Sequence, residues 1–220
     1  MPDFRLIRVG DSRSVQLQLE TPWLILRKRL HMDVGNFGEL PEVVSGDLLH
    51  DPGLKLGLPK IPDDLARQVF GTMKAVPTEV FFSLWRNIDD GTWRITLPNQ
   101  DGKTARVDYE EEDIDDPMFQ LVGTLHSHPG FGPYFSGTDL RDHKRNGNKV
   151  HFVYAFDKRT GAFEGMDAVA MVKGCRFDIS WATFFESPAA EEATVNDANP
   201  DWVARCAELR QAAREKRKAK

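Results

Sequence analysis

The residues best suited to chemistry lie in one short segment near the middle of the 220-residue chain. It reads HSHPGFGPYFSGTD and contains His126, His128 and Asp139. Residues two apart on a strand point to the same face, so the two imidazoles can meet at one point. The intervening loop is rich in glycine and proline and can turn the chain back toward them. Two imidazoles and a carboxylate that leave a fourth position for water are typical of a catalytic zinc site.

The spacing of this segment resembles that of a known family. The pattern His-x-His-Pro, six residues, Ser, two residues, Asp is similar to the signature of the JAMM (MPN+) zinc metalloproteases. These isopeptidases release ubiquitin or ubiquitin-like proteins, and they include bacterial JAB-domain relatives, the branch that this chain resembles most. The resemblance covers about residues 60–175. It implies one Zn²⁺ ion per chain, with His126, His128 and Asp139 as its ligands.

The resemblance also implies a catalytic glutamate upstream, on the strand that follows the first helix. Glu79 fits this place, because it heads the run EVFFSLW. The family has small residues where Phe81 and Phe82 stand in this chain. The alternatives are three consecutive glutamates, Glu110, Glu111 and Glu112. Their acidic loop is a poor place for a fixed base, so we assign the role to Glu79.

The chemistry implied by the resemblance is amide hydrolysis. Zinc lowers the pKa of a bound water from about 15.7 toward roughly 7. Glu79 would take a proton from this water and later pass one to the departing amine. The Ser136 hydroxyl and the zinc would stabilise the oxyanion. We therefore expect a zinc metalloprotease that cleaves the amide or isopeptide bond after the C-terminus of a ubiquitin-like protein. Its partners would be that protein or its conjugates, with activating or conjugating enzymes of the same system.

Structural readings compete with the chemical ones for several residues. Ser136 and Asp139 also have the spacing of a helix capping box, which is compatible with roles at a metal. We expect Ser127 to point away from the metal, His143 to be solvent-exposed, and His151 to be structural or at the surface. Three aromatic residues of the loop either form the wall of a substrate groove or pack the loop onto the core: Phe131, Tyr134 and Phe135. The cysteines, Cys175 and Cys206, are expected to be buried or idle thiols.

The elements that must position these residues suggest an α/β fold with one mixed sheet flanked by helices. Strands are predicted at residues 15–20, 23–26, 79–85, 93–97, 104–109, 119–125, 150–156 and 166–172. Helices are predicted at about residues 62–76, 136–147 and 201–220. A stretch rich in glycine and proline predicts a boundary near residue 59. The predicted domains are 1–58, a small β-rich extension; 59–185, the JAMM-like domain; and 186–220, a linker and basic helical tail.

Composition excludes several other classes of protein. The longest apolar runs are far shorter than a membrane span, and the first residues do not resemble a secretory signal, so we expect a cytoplasmic protein. Two cysteines cannot build a disulfide framework. A formal charge of -5 makes a nucleic-acid partner an unfavoured hypothesis. Two alternatives to the protease remain: a non-catalytic MPN scaffold that binds proteins, and a JAB-related protein of DNA metabolism.

Overall fold

The computed structural model of the chain contains two compact units, Met1–Pro59 and Lys60–Lys220. The structure describes residues 3–9, 15–20, 24–30, 43–44, 55–56, 60–103, 106–110, 114–145, 149–172, 175–186 and 188–218, the first five ranges by their backbone alone. The boundary lies one residue beyond the predicted one. Residues 186–220, predicted as a separate linker and tail, fall within the second unit. Its first helix is contacted by the 3₁₀ turn Val195–Asp197 and by the helices Ala189–Glu192 and Pro200–Lys218.

The first unit contains a five-stranded sheet. Its strands are β1 (Asp3–Val9), β2 (Val15–Glu20), β3 (Leu24–Leu30), β4 (Val43–Val44) and β5 (Lys55–Leu56). Their order is β4-β1-β2-β3-β5, and only the pairing of β1 with β4 is parallel. The alternating apolar residues at 15, 17 and 19 therefore do mark a strand, β2, while β3 continues four residues beyond its predicted end.

A six-stranded mixed sheet forms the centre of the second unit. Its strands are β6 (Phe81–Asn87), β7 (Trp93–Thr96), β10 (Phe119–Pro129), β11 (Lys149–Phe156), β12 (Phe163–Val172) and β13 (Cys175–Asp178). A separate hairpin contains β8 (Gln100–Lys103) and β9 (Arg106–Tyr109). The sheet order is β13-β12-β11-β10-β6-β7, with β10 and β11 parallel and the other pairs antiparallel. The predicted mixed sheet is confirmed.

Helices cover both faces of this sheet. They are α1 (Asp63–Ala75), α2 (Gly137–Arg145), α3 (Ala189–Glu192) and α4 (Pro200–Lys218). On one face, Phe70 of α1 packs on Tyr154 of β11, with ring centroids 4.7 Å apart. On the other face, His143 of α2 stacks on His151 of β11. Because alternate residues of β11 point to opposite faces, this one strand joins two apolar layers. Full burial of each large aromatic side chain contributes about 2 kcal/mol.

Local signals in the sequence explain α1 and its ends. Asp63 and Asp64 occupy its first turn and Lys74 its last, where their charges complement the helix dipole. Leu65, Val69 and Met73 repeat every four residues along one face of the helix; Val69 and Met73 are buried, and Leu65 is half-buried. Among the described residues, no helix is long and apolar enough to cross a membrane.

Several strands of the second unit differ from the prediction. β10 continues to Pro129, and β12 begins at Phe163. β6 begins at Phe81, so Glu79 lies two residues before the strand rather than at its head. The predicted strand at 104–109 is found as β9, but its partner β8 was not predicted. The edge strand β13 was also missed. The sequence of β8, QDGK, lacks the apolar and β-branched residues that mark strands, so no pattern identified it.

Candidate metal centre

Two histidines on the central strand β10 form the base of the site. β10 lies between β6 and β11, and both His126 and His128 are buried. Their Nε2 atoms are 3.2 Å apart, because residues two apart on a strand project from the same face. The pair therefore presents two imidazole nitrogens to one point, as the spacing predicts.

The turn after β10 fixes the tautomer of one imidazole. The Nδ1 atom of His128 is 3.1 Å from the carbonyl oxygen of Gly132. A carbonyl can only accept, so this nitrogen carries the proton and the Nε2 lone pair stays available to a metal. The turn requires a glycine at residue 130, where φ is 81°, a conformation that side chains disfavour. The local turn thus orients His128 as a candidate ligand.

The third candidate ligand lies in the first turn of α2. The backbone N–H of Ser136 donates to Asp139 Oδ2 over 2.6 Å, and the N–H of Asp139 donates to Ser136 Oγ over 3.2 Å. This reciprocal pair is the predicted capping box. It holds the carboxylate with Oδ2 at 3.9 Å from His126 Nε2. The cap therefore also orients Asp139 toward the histidines.

The geometry of these three side chains fits a zinc ion. One ligand atom from each of His126, His128 and Asp139 lies within 4.8 Å of the other two. Tetrahedral zinc with bonds of about 2.0–2.1 Å needs ligand atoms roughly 3.3 Å apart. The two nitrogens already meet this spacing, and the carboxylate needs only a small movement. Two imidazoles and one carboxylate are donors that zinc accepts. We call residues 126–139 the ligand segment.

The electrostatics of the ligand segment also suit a cation. Burial lowers the pKa of His126 to about 3, so this imidazole is neutral at pH 7. Burial alone would raise the pKa of Asp139, but attraction to His126 at the low pH where that ring is protonated, together with the hydrogen bonds from Ser136, brings it below its ordinary value. An ionised carboxylate beside a neutral imidazole is the protonation state that metal binding requires.

Glu79 reaches the same site from a distant part of the sequence. Its Oε1 atom is 3.9 Å from His128 Nε2, and the side chain is only 6% exposed. Burial, followed by the nearby Asp139 carboxylate, raises the pKa of Glu79 to about 8. Glu110, one of the alternatives, is exposed and lines a different cavity. Glu111 and Glu112 lie outside the described residues.

A cavity of about 230 Å³ contains all these groups. Phe131 and Tyr134 form one wall, whereas Phe135 is buried in the core against Val153 and Val169. The core reading is therefore confirmed for Phe135, and Phe131 and Tyr134 line the cavity. The hairpin β8–β9 forms another wall through four residues that sequence reasoning did not single out, Arg106, Val107, Asp108 and Tyr109. The Arg106 guanidinium is paired with Asp108.

The expectation that His143 is exposed is wrong. His143 is buried, and its ring stacks on His151 with centroids 3.7 Å apart and planes 7° apart. Thr124 Oγ1 lies 2.7 Å from His151 Nδ1. Burial lowers the pKa of His143 to about 4 and that of His151 well below its ordinary value, so both rings are neutral. His143 follows Asp139 by four residues, and that face of α2 packs on the sheet rather than facing solvent.

Two further expectations concern residues outside the cavity. Ser127 is fully buried, and its hydroxyl accepts a hydrogen bond from the backbone N–H of Val80, so it has the packing and hydrogen-bonding role expected of it. Cys206 is buried, and burial raises the pKa of its thiol to about 11, as an inert thiol requires. The side chain of Cys175 lies outside the described part of the chain.

Comparisons with known proteins bear on the second unit. Residues 73–171 match the model of a family described as prokaryotic homologs of the JAB domain. A crystal structure that matches is that of a JAB1/MPN domain protein from Archaeoglobus fulgidus, with 19% sequence identity and a TM-score of 0.35. The match covers 56% of this chain and 97% of that one. None of the curated protein sequences matches this chain.

Proposed function

We propose that the domain whose residues 73–171 match the prokaryotic JAB-homologue family is a zinc-dependent isopeptidase or peptidase. It would cleave the amide bond after the C-terminus of a ubiquitin-like protein. One observation carries this proposal: three ligand atoms lie within 4.8 Å of one another, and a buried glutamate, Glu79, lies 3.9 Å from one of them. A purely structural zinc site would close its fourth position with another ligand instead of leaving room for a base.

His126, His128 and Asp139 would hold the zinc. When bound, the ion supplies a Lewis acid that makes water more acidic and polarises a carbonyl. The chain supplies rigidity, because two ligands belong to a central strand and the third to a capped helical turn. Ligands fixed in this way need little rearrangement to bind the ion.

Glu79 would move the protons. Hydrolysis breaks the amide C–N bond and forms a C–O bond to water, so one proton must leave the water and one must reach the amine. A carboxylate beside the ligands can perform both transfers in turn. The positive charge of a bound zinc ion would offset the burial that raises the pKa of Glu79 and would favour the ionised form that the first transfer needs. The burial of Glu79 excludes bulk water, which would otherwise compete for these protons. Glu79 is therefore the general base and then the general acid of the proposed reaction.

Ser136 would stabilise the developing oxyanion. Its Oγ accepts the hydrogen bond from the Asp139 N–H, which leaves the hydroxyl proton available to donate. The residue lines the same cavity as Glu79 and the ligands. A donor fixed before the reaction begins stabilises developing charge without a reorganisation cost.

The size of the cavity supports a substrate with a narrow C-terminus. About 230 Å³ is below the usual range of roughly 300–1,000 Å³ for small-molecule pockets. Phe131 and Tyr134 add flat apolar walls beside the histidines. Such a cleft is compatible with residues that have no side chain, as in the terminal Gly-Gly that the family resemblance implies. The proposed partners are accordingly a ubiquitin-like protein or its conjugates, together with enzymes that activate or attach it.

Hydrolysis of an artificial amide tests the proposal. The probes are ubiquitin and a short peptide, each with a C-terminal Gly-Gly joined to aminomethylcoumarin, and the enzyme is the zinc-loaded chain. We expect zinc-dependent release of the coumarin amine. Glu79→Gln should lower kcat about 10³-fold and leave the zinc content unchanged, because it removes only the proton carrier.

Glu110→Gln is the matched control for this substitution. It neutralises an exposed carboxylate and keeps an oxygen that can accept the hydrogen bond from Asn99. This variant should retain full activity. Absence of zinc-dependent hydrolysis of both probes would contradict the proposed function. Full activity of Glu79→Gln would contradict the role of Glu79 alone.

A further inference from the structure

The backbone around Glu79 is held from two sides, by Ser127 of the ligand segment and by the hairpin β8–β9. We call residues 78–81 the base segment. On one side, Ser127 of β10 accepts from the N–H of Val80 through its Oγ and donates its own N–H to the Val80 carbonyl, at 3.0 and 2.9 Å. On the other side, the N–H of Glu79 donates to the carbonyl of Lys103 in β8 over 3.0 Å. The base segment is therefore fixed between β10 and the hairpin β8–β9.

The side chain of Gln100 takes the place of a neighbouring strand beside Phe81. Its Oε1 accepts from the backbone N–H of Phe81 over 2.8 Å, and its Nε2 donates to the Phe81 carbonyl over 3.0 Å. One amide thus satisfies both backbone groups of a residue, as a neighbouring strand would. The ring of Phe81 also stacks on Tyr109 of β9, with centroids 3.7 Å apart. These contacts fix the backbone two residues beyond Glu79.

Gly102 allows the hairpin to approach the carbonyl of Glu79. A Cβ atom at residue 102 would lie 2.3 Å from that carbonyl oxygen and 3.0 Å from Thr78 Oγ1. The first distance is far below van der Waals contact, so a larger residue would push the base segment and the hairpin apart. Gly102 is required here for close packing rather than for an unusual backbone conformation.

The opposite face of β8, together with the residue just before this strand, contacts α4. Asn99 accepts from the guanidinium of Arg205 over 2.9 Å, and Asp101 forms an ion pair with Arg217. Residues 99 and 101 alternate with 100 and 102, so one short strand contacts α4 with one face and the base segment with the other. α4 is itself attached to the sheet, since Trp202 packs on Phe82 with ring centroids 5.1 Å apart.

We propose that Gln100 and Gly102 are positioning residues that hold Glu79 beside His128, and that α4 braces them through Arg205 and Arg217. This inference rests on the proposed function, because it concerns the proton carrier of that reaction. A misplacement of about 1 Å can cost roughly 10²-fold in rate. The described residues of β8 and α4 include no candidate metal ligand and do not line the cavity, so we expect them to affect proton transfer rather than metal or substrate binding.

Gln100→Met tests the inner contacts. Methionine has a similar length but forms neither hydrogen bond with Phe81. We expect kcat on the coumarin probes to fall about 10- to 100-fold, with KM and the zinc-to-protein ratio unchanged. Amide hydrogen exchange at Phe81 should become faster, which is a readout independent of activity. Gln120→Met makes the same replacement at an exposed position of β10 and should change none of these quantities.

Gly102→Ala and Arg217→Gln extend the test to both faces of β8. Gly102→Ala should lower kcat at least as much as Gln100→Met, with faster amide exchange at Glu79. Arg217→Gln changes only an exposed ion pair, so the variant should fold, and we expect a kcat loss of about twofold to fivefold. Loss of zinc in parallel with kcat in any of these variants would overturn the positioning role, because it would indicate damage to the whole site.

The failure of this inference is distinguishable from failure of the proposed function. If the wild-type chain hydrolyses the probes and Gln100→Met and Gly102→Ala do so equally well, the positioning role is wrong and the proposed function stands. If the wild-type chain is inactive, the proposed function fails, and the positioning role fails with it. Unchanged amide exchange at Phe81 in Gln100→Met would also overturn the positioning role, whatever the activity.

Discussion

The ligand segment and the base segment meet in one cavity but are built in opposite ways. The ligand segment is local: a strand, a turn and a capped helix within fourteen consecutive residues place His126, His128 and Asp139 together. The base segment is assembled over long range, because Glu79 depends on a strand, a hairpin and a terminal helix that are distant in sequence. The two segments share β10, but only the base segment depends on the hairpin and α4, so the proposed proton transfer has supports that the proposed metal binding does not need.

This separation has a consequence for how substitutions act. Changes in the ligand segment should remove the metal and therefore all activity that depends on it. Changes around the base segment should leave the metal in place and slow the reaction. A variant that loses both properties from a substitution in β8 or α4 would break the comparison between the two segments.

The largest effect is expected from loss of a ligand. His126→Ala removes one of two imidazoles from a site with three protein ligands, so zinc affinity should collapse. We predict that hydrolysis of the coumarin probes falls below detection and that added zinc no longer raises the melting temperature. In the wild-type chain, zinc should raise it, because a ligand that binds only the folded state stabilises that state. A zinc-induced shift of wild-type size in the variant would contradict the ligand assignment.

A smaller effect is expected at Ser136, which caps α2 and is also the proposed oxyanion donor. Ser136→Ala removes the proposed oxyanion donor and should lower kcat about 10²-fold. It also removes the acceptor for the Asp139 N–H and should cost about 1 kcal/mol of stability.

Thr194 provides a matched control for the cap. It forms a second capping box with Asp197, away from the cavity. Thr194→Ala should cost a similar free energy of unfolding and leave kcat unchanged. Equal kcat in the two variants would show that Ser136 acts only as a helix cap.

The ligand segment was largely predictable from sequence because its geometry is local. Strand periodicity brings His126 and His128 together, and the capping spacing predicted the cap that holds Asp139. The burial of His143 was not predictable, because it depends on His151 in β11, a neighbour that only the sheet topology supplies.

The base segment was predictable only in part. Glu79 was selected through a family resemblance, and the structure places it within 3.9 Å of His128 Nε2. The hairpin that supports it left no signal, because β8 consists of polar residues and a glycine whose roles are contacts across long sequence distances. Sequence periodicity detects which face of an element is apolar, and it cannot detect a glutamine that pairs with another strand's backbone.

The smallest effect concerns the histidine pair behind the ligand segment. His143 has a pKa of about 4 in the folded chain and about 6.5 when unfolded, so the unfolded state binds more protons between these values. Stability should therefore fall as the pH is lowered from 6.5 toward 4. Since glutamine does not titrate, His143→Gln should lose about 2 kcal/mol less than the wild type between pH 7 and pH 5.

Urea unfolding of the zinc-free chain at pH 7, 6 and 5 measures this difference. A chelator should be present, because protonation of the zinc ligands would otherwise add its own pH dependence. Identical pH dependence in the two proteins would mean that His143 is already accessible to protons in the folded state. The packing of α2 on the sheet, behind the ligand segment, would then be looser than the burial of His143 indicates.

The zinc-to-protein ratio of the purified chain tests the central claim most directly. Elemental analysis should be made on the wild-type chain and on Asp139→Ala, after zinc is supplied and the excess removed. We predict a ratio near one for the wild type and near zero for the variant. Absence of zinc from the wild-type chain under these conditions would contradict the account, because the ligand segment would then hold no metal for Glu79 to serve.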